Sequence, residues 1–261
     1  MRIILAGMGA PVYAETVKRY RMTKLYSALN EERAIHNWDS SHPLMVDSGA
    51  HSWNKIGMNV VGGKASGSLP PLKQWIEYLG RLYQQWDKPN YVLVELDVYA
   101  ELPMATIDAM ADMFQRTIRH ATFMRVFHKR LDDGKLTVLK KWLDQGHTYI
   151  GLGLDAMPLW GKIFQLTKDR IKYHGFAATR KDLLLKYPLY SADSSTAIAG
   201  ARYGGNFHKG KYVSKQHLIK VRSPLAVVQD SDARIRRGVK AMYEMQQFVT
   251  RVWEERGIKW N

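Results

Sequence analysis

The chain has 261 residues, 46% of them hydrophobic and 24% charged, with no cysteine and a net charge of +15 from 39 Lys+Arg against 24 Asp+Glu. That length can bury a full core, as one large domain or two small ones. The lack of cysteine excludes disulfides, cysteine-ligated zinc and a thiol nucleophile. The positive balance favours a polyanionic partner, because cations that neutralise phosphates release counterions.

RIILAG (2–7) reads as a first strand rather than a signal peptide, since Pro11 and the charged ETVKRYR follow its short apolar stretch. No apolar run approaches the roughly 20 residues of a membrane helix, so no membrane partner is expected and the cytoplasm is the expected compartment. GMGAPV (7–12) has two glycines of a dinucleotide loop but lacks the third, and Pro11 sits where a helix should open, so a Rossmann reading is set aside. PLMVDSG (43–49) is the next strand, followed by a flexible insertion, GGKASGSLPP (62–71). In the helix at 72–86, Leu72, Trp75, Ile76, Leu79, Leu82, Tyr83 and Trp86 form one apolar stripe. NYVLVELDV (90–98) is a strand and MATIDAMADMFQRTIRHA (104–121) a helix. TFMRVFH (122–128), TYIGLGL (148–154), IKYHGF (171–176) and LYSADS (189–194) read as four more strands. Helical stretches at 136–145, 158–170 and 179–187 separate them. Residues 232–256 form a long amphipathic helix, whose stripe of Ile235, Val239, Met242, Met245, Phe248, Val249 and Val252 is expected to pack on the core.

Strands that are apolar on both faces and joined by helices make a parallel sheet covered by helices. Seven or so strands in this rhythm favour a (β/α)8 barrel, an α/β fold, over an open doubly wound sheet. No linker divides residues 1–261, which are expected to form a single domain with a C-terminal helix.

Three of the strands end in aspartate: Asp47, Asp97 and Asp193. In a parallel barrel the strand C-termini open on one face, so these acids would converge on a pocket. Buried carboxylates are costly unless they bind a substrate, a metal or each other. For any one of them a cap on the following helix is the plainer reading; three together favour a site. Paired carboxylates without a thiol suit displacement at a sugar anomeric carbon, where one attacks C1 and another moves the proton of the leaving or entering group. With a basic surface, the natural glycoside is a nucleotide. No two of the nine histidines have HxH or HExxH spacing, so no metal is expected.

The segments VDSGAHSW, VELDV, YIGLGL, YHGFAATRKDLLLKYPLYSADSS and ARYGG, in this order between about residue 3 and residue 205, resemble the tRNA-guanine transglycosylase superfamily. The likeness is greatest to its short, phage-type branch, linked to 7-deazaguanines in DNA. The resemblance implies a TIM-like (β/α)8 barrel, with no cofactor, that exchanges guanine for a 7-deazaguanine (preQ0-like) through a covalent aspartyl–sugar intermediate. By position, Asp193 matches the nucleophile, and Asp47 resembles the acid that handles the proton of the exchanging base, with Ser48 and Gly49 of the Asp-Ser-Gly signature beside it expected to bind the substrate. Asp97 resembles the acid that reads the base edge, where N1–H and N2–H₂ of guanine donate to an ionised carboxylate. Gly151 and Gly153 match the strand whose bare backbone lies against the base. His128 stands where the family carries a glutamine, and His174 is either a hydrogen-bonder lining the pocket or a packed core histidine.

This chain departs from the tRNA enzymes in three ways. They read Asp-Ser-Gly-Gly-Phe-Gln, where residues 47–52 here are Asp-Ser-Gly-Ala-His-Ser. The zinc subdomain with its three cysteines and one histidine is missing, and no archaeal-type RNA-binding extension follows. These departures favour DNA as the partner, with tRNA the alternative. The stretch from Arg202 to Arg222 holds Arg202, Lys209, Lys211, Lys215 and Lys220 without one acid, interleaved with Tyr203, Phe207 and Tyr212. Cations of this kind pair with phosphates while aromatic faces stack on unpaired bases; the alternative is a solvated loop. The expected function is therefore a DNA guanine transglycosylase whose small-molecule substrate is a 7-deazaguanine base. A non-catalytic nucleic-acid-binding barrel is the remaining alternative, and the three strand-end acids argue against it.

Overall fold

A computed structural model of the protein describes residues 1–7, 11–51, 70–168, 170–198, 206–208, 211–214, 216, 220 and 230–260. Eight parallel strands close into a barrel in chain order: β1 (Arg2–Ala6), β2 (Thr23–Ser27), β3 (Leu44–Asp47), β4 (Tyr91–Val94), β5 (Thr122–Phe127), β6 (Tyr149–Leu152), β7 (Lys172–Gly175) and β8 (Ser191–Ser194). Among the described residues the α-helices are α1 (Pro11–Arg19), α2 (Ala28–His36), α3 (Leu72–Gln85), α4 (Met104–Thr117), α5 (Thr137–Asp144), α6 (Trp160–Thr167), α7 (Lys181–Lys186) and α8 (Ser231–Glu255). None of the described helices is long and apolar enough to cross a membrane.

The expected (β/α)8 fold is present, with two local corrections. The strand missing from the sequence reading is β2, Thr-Lys-Leu-Tyr-Ser, whose lysine disguises it. Lys24 is fully buried, and its ammonium donates to the carbonyls of Gly7 (2.6 Å) and Leu25 (2.9 Å), 5.0 Å from the Tyr13 ring centroid. Pro11 does open a helix: at the first helical position it has no N–H to leave unsatisfied, and its φ is already helical.

The chain forms two compact units, residues 1–25 with 127–261, and residues 26–126. In the first, β1 pairs with β2 from Ile4–Thr23 to Ala6–Leu25 and with β8 from Arg2–Ser191 to Leu5–Ser194. Helix α8 starts at Asp230, whose side chain caps the amide of Asp232. It packs on β1 through the side-chain Oε1 of Gln246, which accepts from the amide of Ile3 (2.7 Å), and on α7 through Trp253 Nε1, which donates to the Leu184 carbonyl (2.8 Å). Ile235, Val239, Met242 and Val249 of its apolar stripe are buried, but Phe248 is exposed. The ring of Phe248 instead carries the Lys181 ammonium 4.4 Å from its centroid, which gives a surface aromatic a cationic partner.

The second unit is organised around a buried polar cluster. Glu95, just beyond β4, accepts from Arg125 Nε (2.5 Å), from the amide of Val126 and from Tyr99 Oη (3.2 Å). The same guanidinium reaches Asp108 of α4 (2.6 Å), so one arginine joins two strands to a helix. Asp87, after α3, accepts from the amides of Arg119, His120 and Ala121 and so holds the entry to β5.

Candidate active site

The best-defined polar arrangement is built on β7 and β8 of the first unit. Register pairs His174 with Ser191, and in-register neighbours point the same way. His174 Nδ1 accordingly lies 2.8 Å from Ser191 Oγ, which in turn lies 2.6 Å from Tyr149 Oη. His174 and Ser191 are both fully buried. Asp193 follows Ser191 by two residues, so it shares that face of the strand. Its Oδ1 sits 3.3 Å from His174 Nε2, and no hydrogen bond of regular geometry completes that approach.

Asp193 is no helix cap. Its Oδ1 accepts from the amide of Ala177 (2.7 Å), in the loop after β7. Ala177 has φ +51°, a left-handed conformation that costs a non-glycine residue on the order of 1 kcal/mol or more and is over-represented at functional sites. Gly175 is required just before it, because a Cβ there would lie 2.9 Å from both Ala178 Cβ and Leu189 Cδ1. The Asp193 side chain retains 13% of its exposure. It opens on a cavity of about 780 Å³ whose walls include Ser194, Thr179, Arg180, Lys181, Met242 and Met245. Arg180 forks onto Asp182 (Nη2–Oδ2 2.6 Å), which holds the Asp182 carboxyl below its ordinary range.

Just beyond β5 and β6, His128 Nδ1 and Asp155 Oδ1 are 3.0 Å apart, and the second Asp155 oxygen accepts from the amide of Lys129 (3.0 Å). Burial works against ionisation of Asp155, but these hydrogen bonds outweigh it and hold the carboxyl below its usual range. The space above Gly153 that was expected to admit a base is filled by this pair: a Cβ would lie 2.4 Å from Asp155 Oδ1 and 2.8 Å from His128 Nδ1. Gly151 is buried in β6, in register with His174.

Four more expected site residues, Asp47, Asp97, Ser48 and Gly49, lie in the second unit. Asp47 ends β3, as expected, and is half-buried. Asp97 does not end a strand: β4 stops at Val94, and Asp97 lies in a tight turn where Val98 N donates to Leu96 O. First burial, then the charges of Asp47, Asp97 and Glu95 push the Tyr83 phenol well above its ordinary range, so both aspartates act on one buried hydroxyl. Ser48 was expected to meet the substrate, but it is fully buried and its hydroxyl donates to the Glu95 carbonyl (2.8 Å). Gly49 has φ +86° and sits against Leu29, where a Cβ would approach Leu29 Cβ to 2.7 Å.

Arg202, Tyr203, Lys209 and Lys215 of the basic stretch lie outside the described residues. Phe207 and Lys211 fall in two short antiparallel strands, β9 (Asn206–His208) and β10 (Lys211–Val213), of which the backbone alone is described. Sequence reasoning missed Ser191, Tyr149, Ala177 and Asp155. One signal for Ser191 was available, since a hydroxyl two residues before a strand-end acid lies on the same face. The sequence matches no protein-family model and no curated protein.

Proposed function

We propose that the protein is a guanine transglycosylase that exchanges a guanine of DNA for a 7-deazaguanine through an ester of Asp193. The observation that carries this reading is the setting of Asp193: a carboxylate at the end of a barrel strand, anchored through Oδ1, facing a cavity with cations and hydroxyls on its walls. Among the described residues no donor reaches Oδ2, which is therefore the oxygen for attack. The ordered motif resemblance supports the same reading.

In the proposed reaction Oδ2 bonds to C1′ of the deoxyribose, and the C1′–N9 bond breaks with its electron pair leaving on guanine, which takes up a proton at N9. The incoming 7-deazaguanine gives up the proton of the corresponding nitrogen, which attacks C1′ and releases the Asp193 carboxylate. One proton is taken up and one is given back, so the exchange consumes no cofactor. The reading assigns that proton to Asp47 and the N1–H and N2–H₂ edge of the base to Asp97. The assignment draws on the motif resemblance that carries those two aspartates. Arg180 and Lys181 supply positive charge for the phosphates that flank the sugar. The target nucleotide must leave the base stack to reach a carboxylate this sheltered, at a cost of a few kcal/mol.

The test is covalent trapping. Incubation with a single-stranded DNA oligonucleotide, followed by denaturing electrophoresis, should give a slowly migrating adduct. Asp193→Asn, nearly isosteric, should abolish the adduct and lower exchange by several powers of ten while leaving oligonucleotide affinity intact. An adduct formed with tRNA alone would move the substrate to RNA. Tight binding with no adduct on either polymer would leave a non-catalytic barrel.

A further inference from the structure

We infer that His174 is a positioning residue for Asp193, fixed by a one-way hydrogen-bond chain from Tyr149 through Ser191 that places its ring proton on Nε2, the nitrogen 3.3 Å from Asp193 Oδ1. The inference rests on the reading of Asp193 as the nucleophile.

The direction of the chain follows from counting donors and acceptors. Burial holds the Tyr149 phenol in its protonated form, and among the described residues its hydroxyl has one partner, Ser191 Oγ at 2.6 Å. A buried O–H left without an acceptor is costly, so Tyr149 donates to Ser191. The Ser191 proton then goes to its other neighbour, His174 Nδ1 at 2.8 Å. A nitrogen that accepts carries no proton, so the ring is neutral and protonated on Nε2. That atom is fully buried, has no regular hydrogen bond, and lies 3.3 Å from Asp193 Oδ1. The opposite direction fails twice: it strands the phenol proton, and it turns the Nε2 lone pair towards a carboxylate. A doubly protonated ring is excluded by the Ser191 donation to Nδ1.

The consequence is chemical. The Ala177 amide donates to Oδ1, and the Nε2–H dipole lies 3.3 Å from the same oxygen, so both favour charge on Oδ1 and leave the lone pairs of Oδ2 for C1′. In the ester Oδ1 is the carbonyl oxygen, and when the ester breaks Oδ1 regains negative charge against the Ala177 amide and beside the Nε2–H dipole.

Two measurements test this on the intact protein. Long-range proton–nitrogen spectra of ¹⁵N-labelled protein, with His174 assigned by loss of its signals in His174→Gln, should show a neutral ring protonated at Nε2. In Ser191→Ala that preference should be lost. A ring protonated at Nδ1, or at both nitrogens, in the wild type at neutral pH would overturn the inference. In the trapping assay at saturating oligonucleotide, Ser191→Ala should slow adduct formation roughly 10- to 100-fold at unchanged affinity, and Ser191→Thr should restore much of it. An unchanged rate in Ser191→Ala would also overturn it. Tyr149→Phe removes the first donor and keeps the ring, and serves if Ser191→Ala fails to fold. If the wild type gives no adduct, the nucleophile reading fails, while the spectra still decide the direction of the proton chain.

Discussion

Gly49 and Gly153 were both read as glycines that serve the substrate, and their surroundings give them different reasons to exist. At Gly49 the backbone is left-handed and the obstacle is Leu29 Cβ at 2.7 Å, an atom that cannot move without its backbone. At Gly153 the φ is ordinary and the obstacles are the ends of two side chains, Asp155 and His128, which can swing aside. Gly49→Ala should therefore lose at least about 2 kcal/mol. Gly153→Ala should lose on the order of 1 kcal/mol while parting the His128–Asp155 pair. Urea unfolding of the two variants at equal m-values measures the difference, and a larger loss at Gly153 would contradict this account. The glycine of the Asp-Ser-Gly signature thus reports a local backbone requirement. Ser48 beside it serves the scaffold too, since its hydroxyl is bound to the Glu95 carbonyl.

At the scale of elements, β4, β5 and α4 are joined by one guanidinium, and Asp97 sits two residues beyond the Glu95 carboxylate that anchors it. Burial pushes the Glu95 carboxyl up to about 7, against the opposing pull of Arg125 and of the Val126 amide. A carboxyl raised above its ordinary 4.5 adds stability below that value and loses it as pH rises through the folded value. Arg125→Met removes the cation and moves Glu95 further up. The variant should lose about 3–5 kcal/mol at neutral pH, because it leaves a buried carboxylate without its partner. The loss should be smaller at pH 5.5, where Glu95 can take a proton, than at pH 8. Unfolding titrations at the two pH values check the sign; equal losses would mean that Glu95 does not ionise in the native state.

For the whole molecule the governing quantity is charge. A net +15 on 261 residues favours association with any polyanion, and that attraction weakens with salt. Replacing Lys209, Lys211 and Lys215 together by Ala should flatten the dependence of log affinity on log salt by roughly two to three units, if each lysine neutralises one phosphate of a single strand. Exchange on a free nucleoside should be unaffected. Fluorescence anisotropy of a labelled oligonucleotide from low to moderate salt makes the comparison. An unchanged slope would place the polymer on another face, for which Arg180 and Lys181 at the Asp193 cavity are the first candidates.

Local pattern was enough for the barrel, because alternating apolar runs and helical stripes are dictated within each segment of chain. It was also enough to put Asp47 and Asp193 at strand ends, where the apolar run itself stops. It failed at β2, since Lys24 is buried against carbonyls that no local pattern announces. It failed at Asp97 as well, since β4 gives way to a turn before reaching it. His174 could not be decided from sequence either, because its meaning lies in its neighbours. Ser191 is 17 residues away along the chain, and the Tyr149 to which Ser191 bonds is 42 residues from it. Those contacts exist only because strand register sets His174 beside Ser191, and register is a property of paired strands. The surroundings of His174 are thus a consequence of pairing between strands, which no single segment specifies.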